Sequence, residues 1–111
     1  MSKRDPRILL EDIILAIEKI GRFTAAMDRE MFLTDEKTID AIARNLEIIG
    51  EAVRQLPDDF KKANADVPWN QIGGMRNRIV HDYFGLDLEI IWQVIRHDLP
   101  DLEAKIRFLR N

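Results

Sequence analysis

In the middle of the chain, Ile39, Ile42, Leu46, Ile49, Val53 and Leu56 recur at steps of 3, 4, 3, 4 and 3 residues. An α-helix returns those positions to one side, and so narrow a seam packs lengthwise against another helix. Thr34 is read as the N-cap of this helix, and Pro57 ends it because proline cannot donate the next helical hydrogen bond. From about Pro6 to Met27, the residues Ile8, Leu9, Ile13, Ala16, Ile17, Ile20 and Phe23 keep the same three- and four-residue steps. Asp58 to Ala65 has room for a short helical turn or two. Pro68 opens a further helix, expected from about Trp69 to Phe84 and stopped by Gly85. Its Gly73-Gly74 pair costs roughly 1 kcal/mol per glycine relative to alanine, which calls for a close backbone neighbour in return. Asp87 caps the last segment, whose stripe of Leu88, Ile91, Trp92, Ile95, Leu99, Leu102, Ile106 and Leu109 is expected to kink or split at Pro100. Trp69 and Trp92 are read as core.

No strand alternation, internal repeat or low-complexity tract competes with this pattern. The expected fold is therefore all-α: an antiparallel four-helix bundle with an extra short helix, in a single domain over residues 1–111. Leu10, Ile14, Ile48, Ile90 and Phe108 fall outside the main seams, and a chain of 13.0 kDa has little interior to hide them. A homodimer is the expected remedy. Glu11, Asp12 and Glu18 interrupt the first apolar run, so neither a signal peptide nor a membrane span is expected. The chain has no cysteine, which removes disulfides, thiolate metal sites and cysteine nucleophiles and fits a reducing cytoplasm.

The remaining chemistry is sparse. Serine occurs once, at Ser2, so a serine triad is excluded. His81 and His97 occur in different segments without a partner at i+3 or i+4 that would make a dedicated metal site, so none is expected, and no glycine-rich phosphate loop is present. No cofactor is called for. The odd stretch is Gly74 to Tyr83, which gathers Arg76, Arg78, His81 and the only tyrosine. No acidic residue lies between Asp66 and Asp82, so this is a basic patch in a chain of net charge −3. Phosphate could bind there, with Arg76 and Arg78 as the RNA-contacting cations.

On a helix Asn77 and His81 are i, i+4 neighbours, whereas Arg76 and His81 stand roughly 140° apart. A long arginine can wrap round, or a second copy across a two-fold axis can complete the groove. Such an inventory suits RNA cleavage without metal: histidine as acid or base, arginine on the phosphate. Taken singly, an Arg or His on a helix is more often a surface or packed group. Likewise Arg44, Glu47, Glu51 and Arg54 normally form a solvated salt-bridge face. The alternative is that Glu51, beside mid-helix Gly50, reaches Arg76 or His81 and orients it. His97 is read as a helix-end residue.

Arg76-Asn77-x-x-x-His81-x-Tyr83 matches the R-x4-H-x-Y signature of HEPN-superfamily ribonucleases. The flanking blocks Ala43 to Val53, Val67-Pro68-Trp69, Gly74-Met75, Ile79-Val80, Trp92 and Leu99-Pro100-x-Leu102 resemble the HepT toxin family. The resemblance covers most of the chain. It implies a HEPN-like helical homodimer with an RNA groove between protomers, Arg76 and His81 as catalytic residues and Asn77 as a supporting polar group. It also implies a toxin-antitoxin system in which an MntA-like nucleotidyltransferase antitoxin attaches AMP to Tyr83. The competing reading from related helical domains is a non-catalytic partner or substrate-presenting subunit of a nucleotidyltransferase.

Overall fold

The computed structural model describes residues 5–74, 80–82 and 85–110. Helix α1 (Pro6–Thr24) begins where the Asp5 carboxylate accepts a hydrogen bond from the Arg7 amide at 2.8 Å and Pro6 fills a position with no amide to satisfy. It stops short of Met27, and the Thr24 hydroxyl donates back to the Ile20 carbonyl at 2.8 Å. A short helix that the apolar spacing did not announce, α2 (Arg29–Leu33), follows under an Asp28 cap and buries Phe32. Thr34 closes α2 and does not open the next helix. Asp35 does so for α3 (Glu36–Gln55), its carboxylate accepting from the Thr38 amide at 3.0 Å. A carboxylate answers the positive end of a helix with a full charge, which a threonine hydroxyl cannot. Leu56 then leaves the helix at φ −64°, ψ 136°, the extended backbone a residue before proline favours.

Two short helices follow, α4 (Asp58–Ala63) and α5 (Trp69–Gly73). The helix expected from Trp69 to Phe84 thus ends at Gly73, with Gly74 as its C-cap. Val80–Asp82 form strand β1, paired antiparallel with β2 (Gly85–Leu86) through Val80↔Leu86 and Asp82↔Gly85, with an irregularity between the pairs. Two successive glycines are poor helix carriers, and β-branched Val80 suits a pleated backbone.

After the Asp87 cap, α6 (Leu88–Gln93) passes without a break through one π-helical turn, Val94–Asp98, into α7 (Leu99–Arg110). Pro100 therefore neither stops nor splits the helix. It has no amide for the Arg96 carbonyl, and the Leu99 amide reaches back five residues to the Val94 carbonyl, so the ladder widens ahead of the proline. His97 lies inside this turn rather than at a helix end.

The bundle is all-α apart from the two-strand ladder. Its core runs between α1, α3 and α7, where Leu9, Ile13, Ile42, Ile49 and Ile106 are 0% exposed. Arg107 pairs with Glu18 and Arg110 with Glu11, each at 2.6 Å, and that order sets α7 antiparallel to α1. Trp92 stacks on Phe32 at 5.3 Å between centroids, and the Trp69 indole donates to the Asn64 carbonyl at 3.0 Å, so both tryptophans belong to the core. Leu10 and Ile14, expected to be left over for a dimer, are buried instead, because α1 is covered by both α3 and α7. Ile48 and Ile90 are half-buried against the same core. Of the expected surplus only Phe108 stays out, joined by Ile8, Leu15, Phe23 and Met31.

Candidate functional site

The polar stripe of α3 borders a cleft of about 370 Å³ against α1, where Asp12 faces Arg44, Glu47, Glu51 and Arg54 across apolar Leu9 and Ile48. Next to it, α5 ends on α3. A Cβ placed on buried Gly50 would lie 3.9 Å from the Gly73 carbonyl oxygen, and one placed on Gly73 would lie 3.6 Å from Cγ1 of Val53. The close backbone neighbour expected of the Gly73-Gly74 pair is not another helix: at Gly73 the space is taken by the Val53 side chain, and at Gly74 a Cβ would lie 3.2 Å from the Asn70 carbonyl of α5 itself. Arg54 adds a polar tie: its Nη2 donates to the Gly73 carbonyl at 3.1 Å while Nη1 stands 3.9 Å from Oε2 of Glu51. Gly73 is therefore held against α3 beside Gly50 and Arg54.

The chain is tied again after Leu86. Asp87 caps α6 by accepting from the Ile90 amide at 3.1 Å, and Glu89 in the first turn of α6 takes a two-pronged hydrogen bond from Arg29 on α2. That carboxylate, assisted by Glu30, holds the Arg29 guanidinium above its ordinary pKa range.

Between these anchors lies the expected chemistry. Arg76, Asn77, Arg78 and Tyr83 fall outside the described residues. His81 is the middle residue of β1. Glu51 is exposed on α3, and its recorded partner is Arg54. His97 does not join this group; it lines a separate cleft of about 640 Å³ with Pro68, Gln71, Ile72 and Asp101. Among the described residues no group of three or more His, Asp or Glu side chains could hold a metal ion, and no helix is long and apolar enough to cross a membrane.

Sequence reasoning missed Arg54, which looked like any member of a solvated stripe. The available signal was the coincidence of a mid-helix glycine in α3 with a glycine pair twenty-three residues on, since two such gaps let backbones approach and bring a neighbouring long side chain within reach of a carbonyl.

The family described as ribonuclease HepT-like matches residues 13–109. A probable ribonuclease HepT of Thermococcus cleftensis is 44% identical over 98% of this chain and 99% of its own length. A candidate RNase of Methanocaldococcus jannaschii, MJ0127, is 42% identical over 91% of this chain and 84% of its own. A candidate RNase of Caldanaerobacter subterraneus subsp. tengcongensis, TTE0752, is 38% identical over 94% and 93%. No solved structure matches the chain.

Proposed function

The chain belongs to the HepT-like ribonuclease family, and on that premise we propose that it is a metal-independent endoribonuclease, the toxin of a toxin-antitoxin pair, acting in the cytoplasm as a homodimer. The observation that carries the reading is that the family match, residues 13–109, runs through the whole of Arg76-Asn77-x-x-x-His81-x-Tyr83. The hydrogen bond from Arg54 to the Gly73 carbonyl supports it, since it holds the backbone three residues before Arg76 in the sequence.

In the proposed reaction one histidine takes the proton from a ribose 2′-hydroxyl, and the 2′-oxygen attacks the adjacent phosphorus. The bond to the 5′-oxygen breaks, and an acid returns a proton to that oxygen. His81 serves these roles, with the second copy's groove supplying the second histidine. Arg76 stabilises the charge gathered on the phosphorane, Asn77 supports it, and Arg78 holds neighbouring phosphates. The products are a 2′,3′-cyclic phosphate and a free 5′-hydroxyl. An MntA-like nucleotidyltransferase silences the enzyme: the Tyr83 hydroxyl attacks the α-phosphate of ATP, pyrophosphate leaves, and the attached AMP puts an anion where Arg76 would bind RNA.

Incubating the purified dimer with single-stranded RNA in EDTA, and identifying the ends of the fragments, tests the activity. Cyclic phosphate ends formed in EDTA are expected. A need for magnesium, or 5′-phosphate products, would refute the mechanism. Absence of cleavage, together with stable binding to the nucleotidyltransferase, would favour the non-catalytic partner reading. Intact mass after incubation with that enzyme and ATP reads the switch, which should be absent in Tyr83→Phe.

A further inference from the structure

We infer that Arg54 is a positioning residue for the proposed RNA cleavage: paired with Glu51, its guanidinium donates to the Gly73 carbonyl, three residues before Arg76 in the chain. This rests on the activity proposed above and adds a residue to its machinery. The Gly73 oxygen belongs to the last turn of α5, where carbonyls have no partner within their own helix. Arg54 satisfies it from another helix at 3.1 Å, and Glu51 sits 3.9 Å from the other arm of the same fork. A planar guanidinium can present two nitrogens to two acceptors at once, which an ammonium on a flexible stem does less well. A side chain longer than a methyl group at Gly50 would reach toward the same oxygen.

Folding does not require this arrangement. Arg54 and Glu51 are both more than half exposed, and exposed ion pairs contribute little to stability. Placement is another matter. From Gly73 to Arg76 the chain spans at most about 10 Å. An error at the anchor is therefore carried to the phosphate-binding group, and a misplacement of about 1 Å can cost on the order of 10²-fold in rate. Glu51 thereby acquires a role different from direct contact with Arg76 or His81: its charge draws the arginine that donates to the backbone.

The full chain is prepared as wild type, Arg54→Ala, Arg54→Lys and Glu51→Gln. Each is tested for thermal unfolding, cleavage kinetics on a fluorescent single-stranded RNA, and amide hydrogen exchange at Ile72 and Gly74, whose amides donate to Pro68 and Asn70 carbonyls at 3.1 and 2.9 Å. For Arg54→Ala the expected outcome is wild-type melting, kcat lower by roughly tenfold or more, KM changed by less than about twofold, and faster exchange at Gly74. Arg54→Lys should recover part of kcat, and Glu51→Gln should show a weaker form of the same defect. Unchanged kcat in Arg54→Ala overturns the inference. So does a loss confined to KM with a shallower salt dependence, which would make Arg54 a phosphate contact. If the wild type cuts no RNA, the activity reading fails on its own, and exchange then decides the anchor: unchanged rates at Ile72 and Gly74 overturn it.

Discussion

The seam along α1, α3 and α7 and the junction of α5 with α3 are built from different materials. In the first, apolar side chains interdigitate, Leu9, Ile13, Ile42, Ile49 and Ile106 are fully buried, and ion pairs run only along the rim. In the second, two glycines let backbones meet, and one arginine reaches across to a carbonyl. Burial stabilises in proportion to area and is shared among many residues, so the seam sets whether the chain folds. The junction buries Trp69 and Ile72 too, but its hydrogen bond from Arg54 to Gly73 is exposed and adds little stability, so what it adds is a fixed place for the backbone three residues before Arg76.

The strongest way to break this contrast is a cavity in the seam. Ile13→Ala should cost about 2–5 kcal/mol of unfolding free energy in a urea titration, because Ile13 is 0% exposed and the space it leaves cannot collapse fully. A cost under 1 kcal/mol would mean the seam is not the core described. Next, Gly50→Leu should drive a side chain into the Gly73 carbonyl, with an overpacking cost of about 1–3 kcal/mol and a loss of RNA cleavage out of proportion to it. Gly50→Ala sharpens the point from the other side. Its Cβ would meet the Gly73 oxygen at an ordinary 3.9 Å, so helix propensity should make the protein more stable by up to about 1 kcal/mol with cleavage retained. The smallest effect is expected at the rim: Arg107→Ala should lower the melting temperature slightly, and less still at high salt, since Arg107, Glu18 and Glu103 remain open to solvent. Like Arg29, Arg107 is held above its ordinary range, by Glu103 and then Glu18, and stays charged throughout.

These two regions were not equally legible in the sequence. The seam was, because three- and four-residue steps have one structural meaning, and α1, α3 and the last helix stand close to where the apolar stripes put them. Helix α2 was not, since a five-residue helix with one buried side chain is too short to show a period. The stretch after Trp69 was read as one helix through Phe84 because its composition permits one. The structure ends that helix at Gly73, where a local preference against glycine outweighs the pattern. Pro100 was correctly placed as a disturbance, but the helix absorbs it by widening one turn instead of breaking. In the site, spacing picked out Arg76, His81 and Tyr83 as a cluster. It could not reveal the contact of Arg54 with a carbonyl nineteen residues away, which no neighbour in its own helix announces.

The separation of framework from chemistry is tested most directly by measuring melting temperature and RNA cleavage in EDTA on one preparation of His81→Ala beside the wild type. His81 lies outside the seam, on β1, so the variant should melt with the wild type while its cleavage rate falls by about 10²-fold or more. Cleavage equal to the wild type's, or a loss that merely follows a lowered melting temperature, would contradict it.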